Sequence, residues 1–356
     1  MMAKRVKTLL LLIAAALLVA IAVFGHWAIG KGGRDYEDAQ GNWVKIEKEQ
    51  SFGYVEGHPA FSEFSAFIQP WKDRGNLLIT PRLSLDFVCW LNHFNADSIV
   101  DGLSFIADES AKGEIFYRFY TDEEIAEDPS KGDTGLLFIP GEKDAPFAFV
   151  TSGGAFKSVC LFAEAFPVGR ILHEYGYNVF MLKYRVDPYL KGMEVSGPAE
   201  ALANAEYGRA MQYIFENADR FGVSTANYAV WGFSAGGRLT HLWGLDNEYG
   251  YAHYGVPSPA ATVLVYSGWY DERFDGQYLT QPPTYLAWLD NDDTIGEENV
   301  EGIRRYIAFL DGAGIPQEND VYHAAKHGFG EGRGTDAEGW VENALRFWAE
   351  HAEKED

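Results

Sequence analysis

The sequence predicts an α/β fold: a mostly parallel sheet with helices on both faces. Two observations predict it. From about Gly113 onward, short apolar runs bounded by turn residues alternate with longer segments whose apolar residues recur at helical spacing. One of those runs, Tyr228-Ala229-Val230-Trp231, leads directly into Gly232-Phe233-Ser234-Ala235-Gly236-Gly237, which contains a G-x-S-x-G pentapeptide set between a strand and a helix. Alternation on this scale joins parallel strands through helical crossovers. Ligands in such sheets bind at the carboxyl ends of the strands.

The elements follow in order. Gly135 to Pro140 and Pro146 to Val150 read as strands, and so does Asn178 to Tyr184 after Tyr175-Gly176-Tyr177. A helix is expected just before the third of these, near Val159. Between Pro198 and Arg220 the period changes: Ala203, Tyr207, Ala210 and Ile214 share one helical face. The strand before Ser234 comes next, then a helix from about Ala235. Ala261 to Tyr266 and Thr284 to Leu289 are further strands, and Val321-Tyr322-His323 is a short last one. Val300, Ile303, Ile307 and Leu310 stripe another helix, and Val341, Leu345 and Trp348 the final one.

Composition bounds the function. The chain has 356 residues, 47% hydrophobic and 15% aromatic, enough for one large domain and an extension. A formal net charge of −23 excludes nucleic acid as a partner, because phosphate binding needs a basic face. The acidic run Thr121 to Asp128 reads as a solvated loop or short helix face rather than a cation site. The two cysteines, Cys89 and Cys160, lack metal-ligand spacing, and the sequence leaves open whether they pair.

At the N-terminus, Lys4, Arg5 and Lys7 precede Thr8 to Gly30, a stretch that is apolar apart from His26. Its length approaches the roughly 20 residues that span a bilayer. Residues 1–30 are therefore expected to be a membrane anchor or a signal sequence, with the anchor favoured although Ala28 and Gly30 offer a cleavage site. No cysteine precedes Cys89, which argues against a lipid-modified anchor. The charge asymmetry puts the N-terminus inside and the rest of the chain outside the cytoplasm, or secreted if the segment is cleaved. Residues 31–110 show weak periodicity and read as a linker and an extension packed on the main domain, residues 111–356.

The chemistry converges on Ser234. A serine hydroxyl attacks only when a base takes its proton. His327, in Lys326-His327-Gly328-Phe329-Gly330 after the last strand, is the best placed of the nine histidines. His323 sits within the strand run, and His173 and His241 fall on expected helices. The base needs a carboxylate to fix its tautomer, and in chain order that acid stands between serine and histidine. The strand ending at Leu289 runs into Asp290-Asn291-Asp292-Asp293; Asp292 is the first choice, Asp293 the second and Asp290 the third. Backbone amides must also face the oxygen that becomes negative. Ala235 supplies one, and the loop Thr151-Ser152-Gly153-Gly154-Ala155-Phe156 another, from Gly154 or Ala155. Gly268-Trp269-Tyr270-Asp271 is a candidate aromatic wall for substrate.

Taken together, these residues resemble the esterase and lipase branch of the α/β-hydrolase superfamily, in particular its acetyl esterase and acetylxylan esterase-like bacterial members. Gly176-Tyr177-Asn178-Val179-Phe180-Met181-Leu182-Lys183-Tyr184-Arg185 is similar to that group's G-Y-x-V-F-x-L-x-Y-R strand. Asn217 to Val223 resembles the segment before its elbow strand. Gly232 to Gly237 and His327-Gly328-Phe329-Gly330 match the elbow and the histidine loop. Pro282-Pro283-Thr284 and Gly334 to Trp340 are similar to a bacterial subgroup. The resemblance spans roughly Gly135 to Trp348 and implies an eight-stranded-type sheet, no cofactor or metal, and a triad of Ser234, Asp292 and His327. One departure is the oxyanion loop, where Ser152 and Ala155 replace the histidine or proline and the third glycine common in relatives.

The expected function is that of a serine carboxylesterase acting on short acyl esters, acetyl above all, of small molecules or glycans. Two rivals remain open: a serine peptidase of the same fold, and a non-catalytic, membrane-tethered binding protein. The residue after the serine, Ala235, favours an esterase over the peptidases, which often carry tyrosine there.

Overall fold

The computed structural model describes residues 25, 27–33, 35–68, 81–186, 198–267 and 281–352. In chain order the helices are α1 (Phe52–Glu56), α2 (Leu85–Asn92), α3 (Ala96–Lys112), α4 (Asp122–Glu127), α5 (Ala165–Glu174), α6 (Pro198–Glu216), α7 (Ala218–Phe221), α8 (Ser234–Trp243), α9 (Glu297–Ala313) and α10 (Trp340–His351). The strands are β1 (Phe116–Tyr117), β2 (Gly135–Ile139), β3 (Pro146–Thr151), β4 (Asn178–Lys183), β5 (Ser224–Phe233), β6 (Ala261–Val265), β7 (Thr284–Leu289) and β8 (Gln317–Tyr322). They form an eight-stranded sheet in the order β1-β2-β4-β3-β5-β6-β7-β8. From β4 to β8 every neighbouring pair is parallel; β2 is antiparallel to both β1 and β4.

Register explains the two packed faces. Met181, Val150, Trp231, Val263 and Tyr285 lie in one row across β4 to β7. On that face Trp231 meets Trp340 and Trp348 of α10, and Tyr285 meets Phe347. The alternate residues point the other way: Phe149 against Tyr207 and Phe147 against Phe215, both of α6. Leu264, Leu286 and Trp288 on that second face join Leu242, Val300 and Ile303 in a separate apolar cluster. β4, β6 and β7 are buried along their whole length, and so are the carboxyl-terminal halves of β3 and β5, as two-sided coverage requires.

Residues 46–107 supply part of the main core. Ile46, Phe52, Phe61, Leu103 and Ile106 belong to the same buried cluster as the sheet, and α3 packs along α5. The weak periodicity of this region hides one long amphipathic helix, α3, whose N-cap Asn95 accepts from the Ser98 amide. The helix expected near Val159 starts later, at Ala165. Gly153 to Glu164 forms turns instead, and Pro167 is tolerated in the first turn of α5. His323 stands just beyond β8 rather than in it, exposed and paired with Asp290 at 2.9 Å.

The acidic run is a helix, α4, held by a capping box between Thr121 and Glu124. Among the described residues no group of three or more His, Cys, Asp or Glu side chains is placed to hold a metal ion. Cys89 and Cys160 do not form a disulfide. Among the described residues no helix is long and apolar enough to cross a membrane. The expected span, Thr8 to Gly30, lies outside them apart from residues 25 and 27–30, and so does the candidate wall Gly268 to Asp271.

His58 makes the acid stability of this core testable. It is buried among Tyr36, Trp43, Tyr54 and Phe61, with its Nδ1 accepting from the Ala60 amide at 3.2 Å. Burial disfavours its cation and lowers its pKa to about 4. The unfolded chain takes up that proton near an ordinary value of about 6.5. Stability from the neutral ring is therefore complete above pH about 6.5 and is lost as pH falls toward about 4. In His58→Asn, which keeps an acceptor for Ala60, the fall in Tm across this window should be shallower than in the wild type. Equal slopes in a thermal melt series would contradict the assignment.

Candidate active site

The site stands at the carboxyl ends of β3, β5, β7 and β8. At the end of β5 the chain turns into α8 through Ser234, whose φ of 48° lies in the left-handed region. Side chains are excluded around this turn. A Cβ at Gly232 would lie 2.3 Å from Thr240 Oγ1 and 2.6 Å from Gly236 O. One at Gly236 would lie 2.1 Å from Thr151 O and 2.5 Å from Ser152 O. The glycines two residues either side of Ser234 thus let the elbow fold onto itself and onto the loop after β3.

Ser234 does not stand alone. His327 Nε2 is 2.9 Å from Ser234 Oγ, and His327 Nδ1 is 2.7 Å from Asp292 Oδ2. Asp292 follows β7, and its side chain is 1% exposed against 14% for His327, so the carboxylate is shielded while the ring edge reaches solvent. Its other oxygen accepts from the amides of Thr294 and Ile295, which fix the carboxylate's orientation. Of the alternatives, Asp293 is exposed and Asp290 is engaged with His323.

The loop carrying His327 is tied to elements outside the sheet. Asn95, the α3 N-cap, donates to Arg333 O at 3.0 Å. Arg333 pairs with Asp101 of α3 at 2.8 Å and with Glu331 at 2.6 Å. Glu331 also pairs with Arg170 of α5 at 3.3 Å. These long, partly buried contacts anchor the loop against α3 and α5.

The loop after β3 lies against the serine. A Cβ at Gly153 would be 2.7 Å from Ser234 Cβ. The Ser152 carbonyl accepts from Tyr184 Oη, and the Gly153 carbonyl from the Cys160 amide. The Gly153 amide donates to Glu164 Oε2 at 2.6 Å. Gly154, Ala155 and Phe156 then follow with φ of 134°, 56° and 55°. This reversal is unusual for non-glycine residues and of the kind found at functional sites. Ala235 lies in the first turn of α8, where amides have no partner within the helix. The elbow and this loop are thus adjacent, with amides of the expected Gly154, Ala155 and Ala235 on them.

Glu164 and Tyr266 were not singled out in the sequence. Glu164 is buried and accepts from Tyr266 Oη at 2.9 Å, and the Tyr266 ring lies 4.9 Å from that of His327. A signal existed: Glu164 is the lone charge in the apolar run Leu161-Phe162-Ala163-Glu164-Ala165-Phe166.

Comparisons with known proteins agree with this architecture. The BD-FAE family model matches residues 137–256, the span from β2 through the serine turn. A solved acetyl ester-xyloside bifunctional hydrolase from Caldicellulosiruptor lactoaceticus aligns with a TM-score of 0.51 at 20% identity, covering 66% of this chain and 95% of its own. Thermogutta terrifontis esterase 2, in a form phosphonylated by cyclosarin, aligns with a TM-score of 0.51 at 18% identity, covering 68% of this chain and 98% of its own. No match was found among curated proteins. The chain has the α/β-hydrolase fold, and its structural neighbours are esterases and hydrolases.

The closeness of Gly236 to Thr151 O gives a direct check on the elbow. Gly236→Ala should destabilise the protein by about 1–3 kcal/mol, as overpacking does, and lower its urea midpoint. A fully stable variant would show that the loop after β3 is free to retreat.

Proposed function

We propose that this chain is a serine carboxylesterase acting through Ser234, His327 and Asp292. The observation that carries the reading is the unbroken chain from Ser234 Oγ through both His327 nitrogens to the buried Asp292 carboxylate. His327 Nε2 removes the hydroxyl proton as Oγ attacks the ester carbonyl, and Asp292 holds the tautomer and supports the imidazolium. The carbonyl oxygen becomes negative and is met by the amides of Ala235 and of Gly154 or Ala155. His327 then gives its proton to the leaving alcohol. Water, deprotonated by the same ring, releases the acid and restores the serine.

The esterase names of the structural neighbours and the BD-FAE match support this reaction class. They also suggest small acyl groups, acetyl first, on small molecules or glycans. The apolar, cation-led N-terminal segment supports an anchored enzyme with its catalytic domain outside the cytoplasm, where esterified glycans are at hand.

A fluorophosphonate probe should label Ser234 in the folded protein; no labelling would refute an activated serine and leave a binding role. Ser234→Ala should lower turnover by about 10⁶. Asp292→Asn should cost up to about 10⁴, while Asp293→Asn stays near wild type. If the Asp293 variant is the crippled one, the acid is misassigned. In a panel of p-nitrophenyl esters, acetate should be cut with higher kcat/KM than octanoate; the reverse order would exclude an acetyl-sized pocket.

A further inference from the structure

Glu164 is a buried acid that the proposed reaction does not use. It stands at the N-cap of α5, where an acid usually accepts from the first helical amides, yet its side chain makes no such bond. Both oxygens turn toward the serine instead. Oε2 takes the amide of Gly153, the residue packed on Ser234, and Oε1 takes the hydroxyl of Tyr266, whose ring lies against His327. Tyr266 itself sits at the end of β6 with a φ of 37°, a position held by its surroundings. One carboxylate therefore joins the two segments that flank the Ser234–His327 pair.

The groups around it are few. Among the described residues they are Tyr266 after β6, Tyr184 after β4, His327 after β8, and Cys160, which faces the same two tyrosines. None is a permanent cation. Burial raises the Glu164 pKa to about 7, while the bonds from Gly153 and Tyr266 and the nearness of His327 favour the charged form. A buried carboxylate without a cation is costly. Here the one neighbour able to become a cation is the ring that must do so when Ser234 attacks.

We propose that Glu164 is a positioning residue of this site: its carboxylate holds the Gly153 segment of the oxyanion loop against Ser234, and its charge favours the imidazolium of His327. Glu164 exchanges no proton in the cycle. The proton passes from Ser234 to His327 and on to the leaving alcohol, and Glu164 acts on the ring through space and through Tyr266. The proposal rests on the reading of Ser234 as nucleophile.

The test measures fluorophosphonate labelling and p-nitrophenyl acetate kinetics across pH 5–9 with the full chain. Glu164→Gln keeps the shape and an acceptor for Gly153 and removes the charge. Its labelling rate and kcat should fall about tenfold or more, less than or equal to the loss of an oxyanion donor, with KM unchanged. The acid limb of kcat/KM should lose the contribution of Glu164, whose protonation near pH 7 removes the charge in the wild type. Tyr266→Phe keeps the charge and the Gly153 bond but removes a donor to the carboxylate. Glu164 then protonates more readily, and the limb should move to higher pH.

A folded Glu164→Gln protein with wild-type rates and profile, or one altered only in KM, overturns the proposal. Should that variant not fold, an unmoved limb in Tyr266→Phe overturns it. Wild-type protein that is never labelled at Ser234 overturns instead the reading on which the proposal rests.

Discussion

The turn at Ser234 exists because no side chain stands two positions before or after it. With φ in the left-handed region, the serine is lifted clear of both strand and helix, and that conformation costs about 1–3 kcal/mol unless the surroundings hold it. They do so by contact. Gly236 is pressed onto the carbonyls of Thr151 and Ser152, and Gly153 onto the Ser234 side chain. The end of β5 and the end of β3 are paired strands, so the sheet's own register brings the two loops together. The position of every other functional group is set relative to this junction.

Around it the structure divides the work between rigid and polar parts. Parallel strands deliver Ser234, Asp292 and His327 to one edge, and the flanking tryptophans of α10 lock the strand beneath the serine. The histidine loop lies farther from the sheet and is held by charge instead: Arg333 and Glu331 bind it to Asp101 of α3 and Arg170 of α5. Residues 96–112 are thus more than an appendage to the core, since one of their faces buries apolar surface and another restrains the loop that carries His327.

Much of this was legible in the sequence, for identifiable reasons. Strands buried on both faces appear as uninterrupted apolar runs, so β2, β3, β4, β6 and β7 were found with bounds close to those observed. The elbow was legible because its sterics demand glycine, and the order of serine, acid and histidine follows from strand order. What stayed hidden depends on distant contacts. The helical stripe of α3 was obscured by its neighbours' many aromatics. The late start of α5 arises because residues 153–164 are folded back on the serine by bonds such as Cys160 N–H to Gly153 O, which no local pattern announces. Glu164 is hidden for the same reason: its partners, Gly153 and Tyr266, come from two other strand ends.

The most direct test of the account is a structure of the protein after reaction with an organophosphonate. The adduct should sit on Ser234 Oγ, with its phosphoryl oxygen about 2.7–3.1 Å from the Ala235 amide and from an amide of the Gly154–Ala155 loop. His327 should remain between the serine and Asp292. An adduct on another residue, or a phosphoryl oxygen directed to solvent with the loop amides turned away, would contradict it.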